Sequence, residues 1–258
     1  MRVRALILDL YGTLLNTVPA KLDLHADWSR FWRDRLHRPP RLSPEQFATE
    51  CDRAVAREHA LAQARGIGWP EVYWPDVVCA VLPEAADWPE PELSDLRFFH
   101  PRWSLEVGLM EGAAPTLALL ADSHVLLGLA SNCQPYTLRE LDSLFSSAGL
   151  SRNMFQPGLC FFSFEHGFSK PNPHVFQMLS ARLAARGVRP AETMMVGDRM
   201  DSDIEPARAV GWQTWHLNGA AASNWAAFRQ WWRRSGPHGH HGGGRTKKIR
   251  RSLTRSHP

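Results

Sequence analysis

The sequence lacks any long hydrophobic run. No stretch of about 18 consecutive apolar residues, the length that spans a bilayer, occurs among its 258 residues. We therefore expect no membrane-spanning helix. Only about five apolar residues precede Asp9, which is too short for the apolar part of a secretory signal.

Cysteine is also scarce. The chain has four cysteines, no two of them in a C-x-x-C pair: Cys51, Cys79, Cys133 and Cys160. This spacing argues against both a disulfide framework and a zinc site. We therefore expect a reducing, cytoplasmic location.

Excess positive charge is missing from the body of the chain, although the formal net charge is +4. Six basic residues lie in the last 14 positions, which contain no acidic residue, and without these six the formal charge is −2. The body is therefore not expected to bind nucleic acid specifically. Residues 236–258 also lack the apolar side chains that a core needs, and we predict a disordered basic tail there.

Short apolar segments alternate with helical patterns along much of the chain. Segments that resemble buried parallel strands lie at residues 3–8, 124–130, 159–162, 193–196 and 212–217. Helical patterns lie between them, at residues 135–144, 174–185 and 204–210. This alternation predicts an α/β fold with a doubly wound, Rossmann-like parallel sheet.

The segment 16–105 interrupts the alternation. It contains helical patterns at 27–36 and 44–64 but nothing that resembles a strand of the sheet. We predict that it is a helical cap inserted into a core formed by residues 1–15 and 106–218. The Gly- and Trp-rich loop at 66–72 is a candidate specificity loop, because caps close over core sites by such loops.

Residues 219–235 predict a separate C-terminal helix. Its aromatic residues Trp225, Phe228 and Trp232 fall on one stripe. Such a stripe is more often a surface docked on its own domain than a site for a partner or a membrane.

Polar residues follow four of the five predicted strands. They are Asp9-Leu10-Tyr11-Gly12-Thr13, Ser131-Asn132, Lys170, and Gly197-Asp198 with Asp203 nearby. Ligands of open α/β sheets bind outside the carboxyl ends of the strands, so we expect these residues to meet in one pocket.

The residue types indicate the chemistry of that pocket. A carboxylate such as Asp9, exposed at a turn that Gly12 permits, can act as a nucleophile, and Lys170 can keep it ionised. Ser131 and Asn132 can donate hydrogen bonds to an oxyanion. Carboxylates such as Asp9 and Asp198 are the oxygen ligands that Mg²⁺ prefers.

The ordered motifs D-x-Y-G-T, S-N, S-K-P-x-P and G-D-x-x-x-x-D resemble those of the haloacid dehalogenase superfamily, over about residues 1–15 and 106–218. The resemblance implies a hydrolase with a covalent aspartyl intermediate on Asp9, and it also implies the remaining roles. These are hydrogen bonding by Ser131, charge stabilisation by Lys170, substrate binding by Thr13 and Asn132, and a Mg²⁺ site of Asp9, Asp198 and the Tyr11 carbonyl, supported by Asp203. We expect a small anionic substrate, no nucleic-acid or membrane partner, and a monomer or homodimer.

Two motifs favour different reactions. Phosphatases of the family carry a general-acid Asp where this chain has Tyr11, whereas the dehalogenases are similar to this chain in having Tyr there. Halide needs no proton when it leaves, so Tyr11 favours a halide or a leaving group that is a weak base. The carboxylates of the fourth motif favour Mg²⁺ and phosphoryl transfer, because they repel one another without a cation.

The expected reaction is therefore Mg²⁺-dependent hydrolysis of a phosphate with a good leaving group, catalysed with help from Asp9, Tyr11, Ser131 and Lys170. The first alternative is a metal-independent 2-haloacid dehalogenase, in which an arginine of the cap contacts the halide and carboxylate. Arg30, Arg33 and Arg35 are the candidates, although arginines on such a helix usually face solvent. The second alternative is a non-catalytic binding protein with this fold.

Overall fold

The computed structural model describes residues 2–19, 23–88, 96, 105–218 and 221–236. Apart from Gly236, the predicted basic tail lies outside these described residues. No helix in the described ranges is both long enough and apolar enough to cross a membrane.

Within the described residues, seven strands form two sheets. They are β1 (Ala5–Leu8), β2 (Leu15–Pro19), β3 (Leu105–Leu109), β4 (Leu126–Ser131), β5 (Cys160–Phe162), β6 (Thr193–Gly197) and β7 (Gln213–His216). The main sheet is parallel throughout, in the order β5-β4-β1-β6-β7. The α/β fold and all five predicted strands of the sheet are confirmed.

Helices cover both faces of this sheet. The α-helices in the described ranges are α1 (Leu24–Leu36), α2 (Pro44–Ala64), α3 (Trp74–Val81), α4 (Ala113–Ala121), α5 (Pro135–Ser147), α6 (Pro173–Ala184), α7 (Glu205–Ala209) and α8 (Ala221–Ser235). A π-helical turn, Met200–Ile204, leads into α7. Strand β1 shows how the layers arise, because its side chains alternate between two hydrophobic clusters. Leu6 and Leu8 belong to the cluster that includes α4, α5 and α8, whereas Ala5 and Ile7 belong to the cluster that includes α6 and α7.

The insert has a hydrophobic cluster of its own. Trp28, Trp32, Phe47 and Val78 are its centre, and none of its members comes from the five-stranded sheet. Helix α2 begins at a capping box in which Ser43 and Gln46 satisfy each other's backbone groups, which explains why its predicted start was accurate. The division into core and cap at residues 16 and 105 stays a prediction.

The ends of the insert form a ribbon that the sequence analysis missed. Strands β2 and β3 pair antiparallel, from Leu15 opposite Leu109 to Pro19 opposite Leu105. Thr17, Val18 and Pro19 are exposed, so the strand has no buried face that would produce a hydrophobic period of two. Helix α3 was missed as well, since its pattern spans only eight residues.

The C-terminal helix α8 lies against the sheet side that contains α4 and α5. Trp225, Phe228 and Trp232 are buried, as the stripe predicted. The indole Nε1 of Trp225 donates a hydrogen bond to the Thr13 carbonyl at 3.1 Å. This helix therefore supports the loop that follows β1, where the candidate nucleophile lies.

Candidate active site

Four loops bring acidic and basic side chains together at the carboxyl end of the parallel sheet. Asp9 follows β1, Ser131 ends β4, Lys170 lies beyond β5, and Asp198 follows β6. Asp203 joins them from the π-helical turn after β6. Residues more than 190 positions apart in the sequence therefore share one site.

Lys170 is the centre of this cluster. Its Nζ donates hydrogen bonds to Asp9 Oδ1 at 2.7 Å and to Asp203 Oδ1 at 2.5 Å. All three side chains are buried. Burial alone would lower the pKa of Lys170, but the two carboxylates outweigh it and raise that pKa, so the ammonium stays charged.

The pKa of Asp9 lies above that of an ordinary aspartate. Burial, with repulsion from Asp203, raises its pKa to about 7, although Lys170 pulls the pKa downward. Burial and the charge of Asp203 also raise the pKa of Asp198. When ionised, the three carboxylates exceed the single ammonium by two negative charges, which is a costly arrangement in a buried site.

Two glycines allow the carboxylates to approach this closely. Gly12 has φ +78°, and a Cβ there would overlap the Asp198 carboxylate. A Cβ on Gly197 would overlap the side chain of Asp203 in the same way. Gly12 is therefore required both by its backbone conformation and by the space that Asp198 occupies, and Gly197 by the space that Asp203 occupies.

The cluster has the composition of a site for a hard divalent cation. One oxygen from each of Asp9, Asp198 and Asp203 lies within 4.8 Å of the others. Asp198 Oδ1 is buried without a hydrogen-bond partner among the described residues. Orphaned oxygen, excess negative charge and an all-carboxylate donor set fit Mg²⁺.

Two hydroxyls beside the cluster are also unsatisfied. Ser131 Oγ and Thr13 Oγ1 are buried and have no hydrogen-bond partner within the described ranges. Buried hydroxyls normally find partners, so both are available to a bound molecule. Their predicted contacts to substrate stay predictions.

Asn132 contacts the backbone of Lys170. Its Nδ2 donates to the Lys170 carbonyl at 2.9 Å, and its Oδ1 accepts from the Lys170 backbone N–H at 2.8 Å. The predicted role of the amide in substrate binding stays a prediction. Asn132 thus links the loop after β4 to the loop that carries the lysine.

Comparison with known proteins decides the family. The model of the haloacid dehalogenase-like hydrolases matches residues 3–211. The chain belongs to this family.

Curated relatives match over shorter stretches. The chain is 35% identical over 109 residues to a glyceraldehyde 3-phosphate phosphatase of Pyrococcus furiosus, a match that covers 40% of this chain and 39% of that protein. It is 46% identical over 50 residues to the protein of that name from Methanopyrus kandleri, covering 19% of this chain and 20% of that protein. The chain therefore matches well under half the length of each.

Solved structures match over most of the chain. A 2-haloacid dehalogenase of Pseudomonas syringae pv. Tomato aligns with a TM-score of 0.54 at 18% identity, over 89% of this chain and 99% of that one. A haloacid dehalogenase family enzyme of Bacteroides thetaiotaomicron aligns with a TM-score of 0.54 at 16% identity and the same coverage. At these identities the similarity shows the fold alone.

Tyr11 is turned toward helix α5. Its hydroxyl lies 3.0 Å from Thr137 Oγ1 and donates to Glu140 Oε2 at 3.5 Å. Burial raises the pKa of this phenol well above its ordinary value. A phenol with a raised pKa, engaged by two neighbours, is a poor general acid.

The cap arginines considered for a dehalogenase are engaged at the surface. Arg30 pairs with Asp27 at 2.9 Å and Arg33 with Asp34 at 2.8 Å, and both guanidinium side chains are more than half exposed. The side chain of Arg35 lies outside the described set. The expectation of a solvated face therefore holds for Arg30 and Arg33.

Sequence reasoning missed three polar residues at the junction of cap and core: Glu71, Gln134 and Ser163. They are separated by more than 25 residues from one another and belong to no motif. The only signal was the location of Glu71 in the predicted specificity loop, residues 66–72.

Proposed function

We propose that the protein is a Mg²⁺-dependent phosphohydrolase, which acts on small organophosphates with good leaving groups through an aspartyl phosphate on Asp9. The observation that carries this proposal is the cluster in which three carboxylates, those of the buried Asp9 and Asp203 and the partly buried Asp198, accompany one buried ammonium. Phosphoryl transfer needs charge neutralisation, whereas displacement of halide from carbon gains little from a cation.

Asp9, Asp198 and the backbone carbonyl of Tyr11 are the groups that would hold the ion, with Asp203 supporting it. The bound ion would supply positive charge to the phosphoryl oxygens. Names of the curated relatives support phosphatase activity, since both are called glyceraldehyde 3-phosphate phosphatase.

In the first step a carboxylate oxygen of Asp9 attacks phosphorus, and the bond from phosphorus to the leaving-group oxygen breaks. Lys170 and the Ser131 hydroxyl stabilise the charge on the transferring group. Water then cleaves the aspartyl phosphate, which releases inorganic phosphate and restores the Asp9 carboxylate. Because Tyr11 is a poor acid, turnover should fall steeply as the pKa of the leaving group rises.

The first test is hydrolysis of p-nitrophenyl phosphate by the full chain, with Mg²⁺ or with chelator, using Asp9→Asn as the blank. Activity that needs both Mg²⁺ and Asp9 is expected, and a series of aryl phosphates then measures the dependence on the leaving group. A flat dependence across the series would contradict the role assigned to Tyr11.

A 2-haloacid dehalogenase is the second candidate, and Tyr11 at the position of the missing acid is the observation that favours it. The test is release of chloride from 2-chloropropionate in the presence of chelator. Chloride release without p-nitrophenyl phosphatase activity would replace the first proposal with the second. A cytoplasmic location and a monomeric or homodimeric state stay predictions from the sequence.

A further inference from the structure

The cap loop, defined here as residues 68–74, is bonded to the segment that carries Lys170. Four hydrogen bonds make this junction. Ser169 donates to the Trp69 carbonyl from its N–H at 2.8 Å and from its Oγ at 3.2 Å, Asn172 Nδ2 donates to the Gly68 carbonyl at 3.0 Å, and the Glu71 N–H donates to the Gly167 carbonyl at 3.0 Å. Pro70 and Phe168 form an antiparallel bridge between them. The cap loop is thus bonded to residues on both sides of Lys170 in the sequence, Ser169 and Asn172.

The side chain of Glu71 makes a second junction, with the segment after Ser131 and Asn132. Its Oε2 accepts from Ser163 Oγ at 2.7 Å, and its Oε1 accepts from Gln134 Nε2 at 3.0 Å. Ser163 is fully buried, and its Oγ also accepts from the Cys133 backbone N–H at 2.9 Å. Glu71 is therefore connected, through one hydroxyl, to the backbone two residues beyond Ser131.

Only an acceptor fits opposite Gln134. The amide of Gln134 is oriented by two further bonds, from its Nε2 to the Val72 carbonyl at 2.9 Å and from the Trp74 N–H to its Oε1 at 2.9 Å. Rotating this amide would break both. A carboxylate at residue 71 can accept from Gln134 and Ser163 at once, whereas an amide there would have to donate to Ser163 Oγ, whose own proton would then turn to the Cys133 carbonyl at 3.2 Å.

The cap loop has an unfavourable backbone conformation at Trp69. Trp69 has φ +51°, in the left-handed region that bulky residues rarely adopt. Such a conformation persists when surrounding contacts over-determine it. The bonds from Ser169 to the Trp69 carbonyl are contacts of this kind.

We infer that Glu71 is a positioning residue, which fastens the cap loop to the Ser131 and Lys170 loops at the same time and so holds both catalytic groups in place. Glu71 acts through Ser163 and Gln134 and not on the reacting atoms. The kinetic part of this inference rests on the proposed phosphohydrolase activity, but the structural part does not.

Amide hydrogen exchange of the full chain with Mg²⁺ tests the structural part without any substrate. The variants are Glu71→Ala and Ser163→Ala, with Glu50→Ala as a control because Glu50 pairs with Arg53 on the surface. Exchange of the Glu71 and Ser169 amides should rise about tenfold or more in both variants, as expected for local opening. The Asp9 amide, bonded to the Val196 carbonyl, should not change.

Kinetics with p-nitrophenyl phosphate test the positioning role. We expect kcat to fall by about tenfold or more with little change in KM, because small misplacements of catalytic groups lower the rate steeply. The double variant should be no worse than the worse single variant, since the two residues act as one unit. A merely structural role would instead lower the melting temperature and leave kcat of the folded protein unchanged.

The outcomes separate the two proposals. Unchanged exchange at Ser169 in both variants would overturn the positioning role of Glu71, whatever the activity. Raised exchange together with a lowered kcat would support it. Raised exchange in the variants, with a wild-type protein that hydrolyses no phosphate, would retain the junction and overturn only the phosphohydrolase. Raised KM at constant kcat would make Glu71 a substrate contact.

Discussion

Two polar networks of the described residues differ in whether their polar atoms have hydrogen-bond partners. The cluster of Asp9, Lys170, Asp198 and Asp203 has more carboxylates than ammonium groups and leaves Asp198 Oδ1 without a partner among the described residues. In the network of Glu71, Gln134 and Ser163, both carboxylate oxygens are bonded. The first network has polar atoms free to bind a ligand, whereas the carboxylate of the second is already satisfied.

The difference separates the groups that we propose to react from the groups that we propose to position them. Buried polar atoms without partners cost free energy, so their retention in a folded protein points to a bound ion or substrate. Satisfied networks rigidify what they connect. Here the satisfied network joins the loops that carry Ser131 and Lys170.

Asp9→Asn is expected to have the largest effect on activity. Loss of the nucleophile should lower kcat/KM for p-nitrophenyl phosphate by at least about 10⁴-fold, as removal of nucleophiles does elsewhere. The variant also removes one negative charge from the cluster, so its melting temperature in chelator should equal or exceed that of the wild type. A variant that is both inactive and clearly less stable would contradict the excess of charge.

Lys170→Met is expected to have the largest effect on stability. It removes the only ammonium that contacts Asp9 and Asp203 in the described part of the chain, and breaking a buried ion pair costs about 3–5 kcal/mol. Denaturant unfolding should show this loss in chelator and a smaller loss with Mg²⁺. The control is Arg152→Met, which breaks an exposed pair with Asp142 and should cost no more than about 1 kcal/mol.

Gly12→Ala should have a smaller effect on stability and disturb the metal site. A methyl group there overlaps the Asp198 carboxylate, and the positive φ adds about 1 kcal/mol of strain. Gly66→Ala is the matched control, since Gly66 has φ +83° with open space around it. Calorimetry should show weakened Mg²⁺ binding only for Gly12→Ala; equal binding by both variants would mean that Asp198 is not a ligand.

The cluster of Asp9, Lys170, Asp198 and Asp203 was largely predictable from the sequence, because of where its residues lie relative to the strands. Asp9, Lys170 and Asp198 follow the ends of buried apolar strands, and the parallel sheet brings those ends to one edge. Once the strands were assigned, these three side chains had to converge. Family motifs then added Asp203, which lies in a helical turn that no strand pattern indicates.

The satisfied network was not predictable, for an equally physical reason. Glu71, Gln134 and Ser163 meet only because the cap loop folds back on the core, and no periodicity records such a contact. Asn132 shows the same limit at closer range. Its motif placed it at the site, but only the structure shows its amide bonded to the Lys170 backbone.

Tyr11→Phe should have the smallest effect on activity and stability, and it tests whether Tyr11 has a structural role and not the role of general acid. Removing its hydroxyl loses the contacts to Thr137 and Glu140, which should cost about 1 kcal/mol of unfolding free energy. Turnover of p-nitrophenyl phosphate and of phenyl phosphate should fall equally, by less than about threefold, because the phenol donates no proton to either leaving group. Tyr73→Phe, at an exposed tyrosine, is the control. A loss of turnover confined to phenyl phosphate, whose leaving group is the stronger base, would instead identify Tyr11 as the general acid.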